Sequence, residues 1–397
     1  MPYVFGTMLL LAAAAHHAGC AWDTPSWSPD GSRIAFATSR SAEVEELDGT
    51  LGQLRYIYDD AVYVARLGEE ESEPVRVADG RAPLWSPNGE VIAFLRSSEQ
   101  DGQQGKELWL ADARGNGDVR RVEFESDVAW LSSWSPDGSR ILAAMSGDVT
   151  FPGVAGTYQG YRASVVAVGN ASVSPIGLGV LSFQGGAWSP DGKQLALAGW
   201  QKDEQSREVH ALVVVPVAGG EAKTIMRDVE DDAKYSLLMA PAWDSTGRWI
   251  AVLEMQRAVR EVPGHSRPVD AAVGLNVILV SPDGAVRKTV HHMPLEFAKA
   301  FEYTAPAFSP DGKRLAYMMN GHFYAADVEA AIAEGTAPQE VPLYGKLPEG
   351  RILGMPAWYP TGSAIAITVL TPRAWETWAF QPDSGDARRV ARVPRPE

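Results

Sequence analysis

The sequence predicts an all-β chain, a seven-bladed β-propeller of four-stranded antiparallel blades, on three observations. An aromatic residue followed by Ser-Pro-Asp-Gly or a near variant recurs seven times, at intervals of about 50 to 65 residues. Behind each copy lies a short strand in which large and small apolar residues alternate. Gly (38) and Pro (27) are spread over the whole chain, which is 45% hydrophobic and 21% charged, the balance of a folded, turn-rich β protein. A period near 50 residues with several strands in each unit is that of a propeller, and it accounts for a length of 397 that would otherwise ask for two or three domains.

The repeat cores are Trp27 with SPDGSRIAFATS, Trp85 with SPNGEVIAFLRS, Trp134 with SPDGSRILAAMS, Trp188 with SPDGKQLALAGW, Trp243 with DSTGRWIAVLEM, Phe308 with SPDGKRLAYMMN and Trp358 with YPTGSAIAITVL. Pro presets the turn, Asp tolerates its second corner, and Gly takes the positive φ that closes a hairpin, so the motif joins the first strand of a blade to the second. Small residues precede the aromatic, as in Gly185-Gly186-Ala187, Ala240-Pro241-Ala242, Ala305-Pro306-Ala307 and Met355-Pro356-Ala357, and suit a crowded innermost strand. The aromatic then fills the gap between blades. Third strands are expected at 107–111, 209–215 and 276–280, and fourth strands at 118–122 and 387–390. Ser281-Pro282-Asp283-Gly284 repeats the letters without the preceding Trp and reads as the third-to-fourth-strand turn of blade 5, which favours seven blades over six or eight. If every repeat begins at its inner strand, both chain ends meet between blades 7 and 1, with no strand exchanged to latch the ring.

These repeats resemble the WD40-like Pro-Asp repeats of the TolB propeller family over about residues 22–393, and the resemblance implies the propeller fold. That family carries an α/β domain ahead of its propeller, for which the few residues between Cys20 and the first blade leave no room. The same repeats precede the hydrolase domain of prolyl-oligopeptidase-like enzymes, but this sequence has no Gly-x-Ser-x-Gly. Its nearest string, Gly264-His265-Ser266-Arg267-Pro268, lacks the second Gly.

Residues 1–19 carry no charged side chain, and their run MLLLAAAA falls short of the ~20 residues that span a bilayer, so it reads as the apolar region of a signal peptide. Ala18-Gly19-Cys20 then resembles the lipobox of bacterial lipoproteins, which implies that Cys20, the one cysteine of the chain, becomes a diacylated N-terminus. Two or three acyl chains, at about 0.8 kcal/mol per buried methylene, anchor stably where one does not. The expected organisation is a signal peptide over 1–19 and a single propeller over 20–397, held at the periplasmic face of the envelope or at the cell surface. A net charge of −15 repels phosphate and anionic lipid, so no nucleic-acid partner is expected, and membrane contact is expected only through the anchor.

In this arrangement the Ser-Pro-Asp-Gly turns line one rim, while second-to-third-strand and inter-blade connections line the other. The long insertions sort to that second rim: 39–60, 146–161, 255–273, 227–237 and 291–303. Elaborated loops on a rigid scaffold are where binding resides. The candidate binding residues are Tyr56, Tyr58, Asp59, Asp60, Tyr158, Tyr161, Asp231 and Asp232, since acid beside tyrosine can grip a basic peptide or a sugar. His291 and His292 are adjacent in a strand and point to opposite faces, while His210, His265 and His322 are isolated and suit surface roles. The acidic stretch 228–232 lacks the alternating spacing of a calcium loop. No catalytic residue, metal or cofactor is assigned. The expected function is that of a monomeric, non-catalytic envelope lipoprotein whose loop-rich rim binds a protein or peptide. The alternatives are a channel-mouth polysaccharide lyase or glycosidase assembled from several blades, or a small-ligand sensor.

Overall fold

The computed structural model describes residues 24–395 apart from 39–42, 45–53, 56–59, 69–72, 101–102, 114–116, 125–126, 151–156, 177–179, 203–207, 228–233, 261–268, 296–302, 334–336 and 344. Its strands form seven four-stranded antiparallel sheets in chain order, plus a two-stranded hairpin, Glu43–Val44 with Leu54–Arg55, inserted in blade 1. Every innermost strand ends on its repeat aromatic, from Ser26–Trp27 in blade 1 to Arg351–Trp358 in blade 7. Among the described residues the strand order within each blade shows none exchanged between blades.

The repeat turn saturates its own polar groups. Ser135 Oγ donates to Asp137 at 2.5 Å and accepts the backbone N–H of Arg140 at 3.0 Å, while Asp137 accepts the N–H of Ser139 at 3.0 Å. Ser28, Ser86, Ser189 and Ser309 do the same for the amide five residues on, and Asp244 replaces them in blade 5. The serine hydroxyl and the backbone amide hold the carboxyls of Asp30 and Asp137 down at about 2. The turn at Ser281 has the same bonds, 2.5 Å to Asp283 and 2.9 Å from the Val286 amide, yet joins the third and fourth strands of blade 5, Val269–Val280 and Arg287–Pro294. The motif therefore encodes a hairpin; the aromatic before it encodes a blade.

Blades pack through apolar clusters shared by neighbours. The first large apolar residue of each second strand, Ile34, Ile92, Ile141, Leu195, Ile250, Leu315 and Ile365, is at most 1% exposed. Burial of one such side chain stabilises by roughly 1.5–3 kcal/mol. Polar contacts cross the seams as well. The indole N–H of Trp27, Trp134 and Trp358 donates to Ala357, Leu84 and Ala307 of the preceding blade, at 3.1, 3.0 and 2.8 Å. Arg33 and Arg140 lie over Trp85 and Trp188 of the next blade at 4.9 and 4.8 Å from the ring centres, a cation–π geometry.

Ring closure rests on side chains. Besides the Trp27 bond, the Met355 amide donates to Thr24 Oγ1 at 2.8 Å, and Tyr359 meets Trp27 edge-on at 5.0 Å. Gly31, at φ +70°, lies so close beneath Tyr359 that a Cβ would stand 2.6 Å from its ring.

Two elements depart from the sequence reading. A short helix, α1 (Val328–Ala333), joins the third and fourth strands of blade 6, capped by Asp327, which accepts the Ala330 amide at 2.8 Å. The stretches 146–161 and 255–273, expected as loops, are largely strand: Ser146 pairs with Tyr161 and Thr150 with Thr157, while Met255 pairs with Leu275 and Arg260 with Val269. Their polar residues suit a paired two-stranded arm as well as they suit a loop.

Candidate functional site

Extended arms raise the loop-rich rim on one arc. The second strands of blades 2 to 5, Val91–Gln100, Arg140–Thr150, Gln194–Lys202 and Ile250–Arg260, run 10, 11, 9 and 11 residues. Those of blades 1, 6 and 7, Arg33–Thr38, Arg314–Met319 and Ile365–Leu370, run 6.

Of the predicted rim residues, Tyr56, Tyr58, Asp59, Asp231 and Asp232 lie outside the described residues, as does Cys20. Asp60 is buried, 7% exposed, with its carboxylate 3.6 Å from Arg81 Nε, and so joins blade 1 to blade 2. Tyr158 pairs in register with Val149 in the blade 3 arm. Tyr161, on the same strand, meets the ring of Trp130 edge-on at 4.6 Å, and Trp130 lines the central channel.

The histidines divide as their positions dictate. His291 turns to Tyr317 and Tyr324 of blade 6, and burial lowers its pKa, while His292 bonds Asn276 at 2.7 Å on the opposite face. His322 pairs with Glu340 at 2.7 Å. His210 is no surface residue: it is fully buried, its Nδ1 accepts the Leu238 amide at 3.0 Å across the seam to blade 5, and desolvation lowers its pKa to about 3. Among the described residues no group of three or more His, Cys, Asp or Glu could hold a metal ion.

The channel itself carries a site that no local motif announces. A cavity of about 450 Å³ runs along the axis beside the innermost strands of blades 3 to 7, walled by Trp130, Met239, Pro241, Tyr303, Phe308 and Met355 among others. No Asp, Glu, Lys, Arg or His lines it among the described residues. Its polar side chains include Ser132 and Ser133 of blade 3 and Gln184 of blade 4.

Bulges create this wall. The pairing of inner to second strand shifts register between Leu131 and Ser133, between Phe183 and Gly185, between Met239 and Ala242, and between Leu353 and Ala357. Each shift leaves residues without a cross-strand partner, and among them Ser132, Gln184, Ala240, Pro241 and Met355 line the cavity. Ala240 holds φ +46° directly before Pro241, where an extended backbone is preferred, a strain of about 1–3 kcal/mol. Gly185 faces it so closely that a Cβ would lie 3.2 Å from the Ala240 backbone. An apolar chamber with a few hydrogen-bonding groups can hold an uncharged body and orient one polar end. The sequence signal for it was a lone Gln before Gly185-Gly186, and the Ser132-Ser133 pair, in strands otherwise built of small apolar residues.

No protein-family model matches the chain. The curated uncharacterized peptidase YuxL of Bacillus subtilis is 24% identical over 257 residues, 63% of this chain and 31% of that protein, so the match spans about a third of the relative's length. Among solved structures, a puromycin-hydrolyzing peptidase of Mycobacterium tuberculosis aligns with a TM-score of 0.55 at 14% identity, over 95% of this chain and 54% of that one. The putative TolB of Agrobacterium tumefaciens aligns with a TM-score of 0.45 at 16% identity, over 77% of this chain and 91% of that one. The chain is thus a β-propeller similar in fold to the propeller of that peptidase, and the likeness concerns the fold alone.

Proposed function

We propose that this propeller is a non-catalytic scaffold that binds a protein or peptide at its loop-rich rim, as a monomer held at the cell envelope through an acylated Cys20. The observation that carries the reading is the asymmetry of the rims: the turn rim satisfies its own polar groups, whereas long arms rise from the other along blades 2 to 5. Tyr161 links the blade 3 arm to the channel wall through Trp130, so a partner lying on the arms also meets the channel mouth. Similarity to peptidase propellers supports peptide as the partner class. The axial cavity, free of carboxylates and imidazoles among the described residues, offers no acid or base for cleaving a glycosidic bond, which weighs against the polysaccharide enzyme.

The test is affinity capture from native membranes with the intact protein, with a variant lacking residues 41–57, and with the blade 3 arm trimmed. Loss of the same captured partner from both trimmed forms supports the reading; an unchanged partner set contradicts it. For the anchor, Cys20→Ser is expected to move the protein to the soluble fraction, and retention in the membrane contradicts acylation.

A further inference from the structure

We propose that the axial cavity is itself a binding site, for an uncharged amphipathic small molecule with an aromatic or aliphatic body and a neutral hydrogen-bonding end such as an amide or hydroxyl. The site lies inside the channel rather than on the arms, so it stands or falls independently of the rim reading.

Four features converge on that chemistry. The volume of about 450 Å³ falls within the roughly 300–1,000 Å³ of small-molecule sites. Trp130, Met239, Pro241, Tyr303 and Met355 supply an apolar wall from four blades. No charged side chain lines the cavity among the described residues, so an ionic ligand would lose its hydration with nothing to replace it, whereas a neutral one enters freely.

The polar groups form the fourth feature. Ser133 Oγ is closed off from solvent and has no hydrogen-bond partner among the described residues, which costs about 1–3 kcal/mol, so it is Ser132 and Gln184 that can meet a ligand. Ser132 Oγ and the Gln184 carboxamide, on the same blade and its neighbour, line the cavity at bulges where their backbones have no cross-strand partner. The Ser132 and Gln184 side chains therefore sit on adjacent blades 3 and 4, among apolar residues that continue around the chamber on blades 5 to 7. The strained Ala240–Pro241 corner completes that wall, and such strain persists where surroundings clamp the backbone for a purpose.

The probe is N-phenyl-1-naphthylamine, neutral and aromatic with one N–H, set against its sulfonated analogue 1-anilinonaphthalene-8-sulfonate, of the same shape but charged. Because Trp130, Trp134, Trp188 and Trp243 line the cavity, tryptophan excitation should sensitise the emission of bound probe. The expected result is saturable binding of one equivalent of the neutral probe, with the sulfonate weaker by about tenfold or more. Ser132→Trp, which fills the chamber from blade 3, should weaken the neutral probe by about tenfold while melting temperature and circular dichroism stay unchanged. Ala242→Phe fills it from blade 5 and serves if the first variant does not fold. Absence of saturable binding, equal binding of the sulfonate, or undiminished binding in a folded filled variant overturns the proposal.

Discussion

The turn rim and the loop-rich rim belong to the same seven blades, yet on one the first-to-second-strand turns repeat almost residue for residue and on the other no two connections match. On the turn rim a serine hydroxyl and an aspartate carboxylate absorb the free amides of the hairpin, and the next turn packs against the last, as Gly89 does on Pro29 and Gly192 on Pro136. Little hydrogen-bonding capacity is left over. On the other rim the arms differ in length, and the inner strands beneath them are bulged, so that Ser132 and Gln184 drop out of the backbone pairing and Ser133 Oγ has no hydrogen-bond partner among the described residues. Repetition marks the rim that serves stability; irregularity marks the rim proposed for recognition.

Acid separates the two rims most strongly. His210, near the loop-rich end of its strand, is held neutral at a pKa of about 3 against an ordinary 6.5, so its contribution is complete above pH 6.5 and drains away as pH falls from 6.5 toward 3. Stability should drop by up to about 1.4 kcal/mol per pH unit in that window. The turn aspartates Asp30 and Asp137, lowered from 3.8 to about 2, contribute above pH 3.8 and lose that contribution only between 3.8 and about 2. Urea titrations at stepped pH should show both windows, and His210→Phe should remove most of the upper one, leaving the share of His291, without altering the lower.

The next effect is at ring closure. Gly31→Val forces a branched residue into positive φ beneath Tyr359 and is expected to lower stability by about 2–4 kcal/mol in denaturant unfolding, with partner capture intact below the transition. Ser135→Ala, which removes one hydroxyl serving two bonds, should cost about 1–2 kcal/mol. Trimming the blade 3 arm back to Ser146 and Tyr161 should change stability least, within about 0.5 kcal/mol, while abolishing capture. An arm trim that unfolds the protein, or a Gly31 variant that folds normally, would blur the division between the rims.

What the sequence disclosed follows the same division. Seven aromatic-plus-turn cores made the blade number, the strand order and the decoy at Ser281 legible, because each turn is encoded within a dozen consecutive residues. The burial of His210 was available too, since it falls in phase with the buried Leu212 and Val214 along its strand, but an imidazole alone in sequence invites a surface reading. Residues 146–161 and 255–273 read as loops because strand pairing beyond the blade body needs no apolar alternation. The channel site stayed hidden for a different reason: it is assembled from single bulged residues on several strands, each unremarkable beside its neighbours.

The division of the rims is tested most directly by photo-crosslinking in native membranes, with a benzophenone side chain placed at Tyr161 beside the channel or at Lys193 on the turn rim. A discrete partner adduct from position 161 and none from position 193 is the expected outcome. An adduct from position 193 that position 161 fails to give would contradict the account.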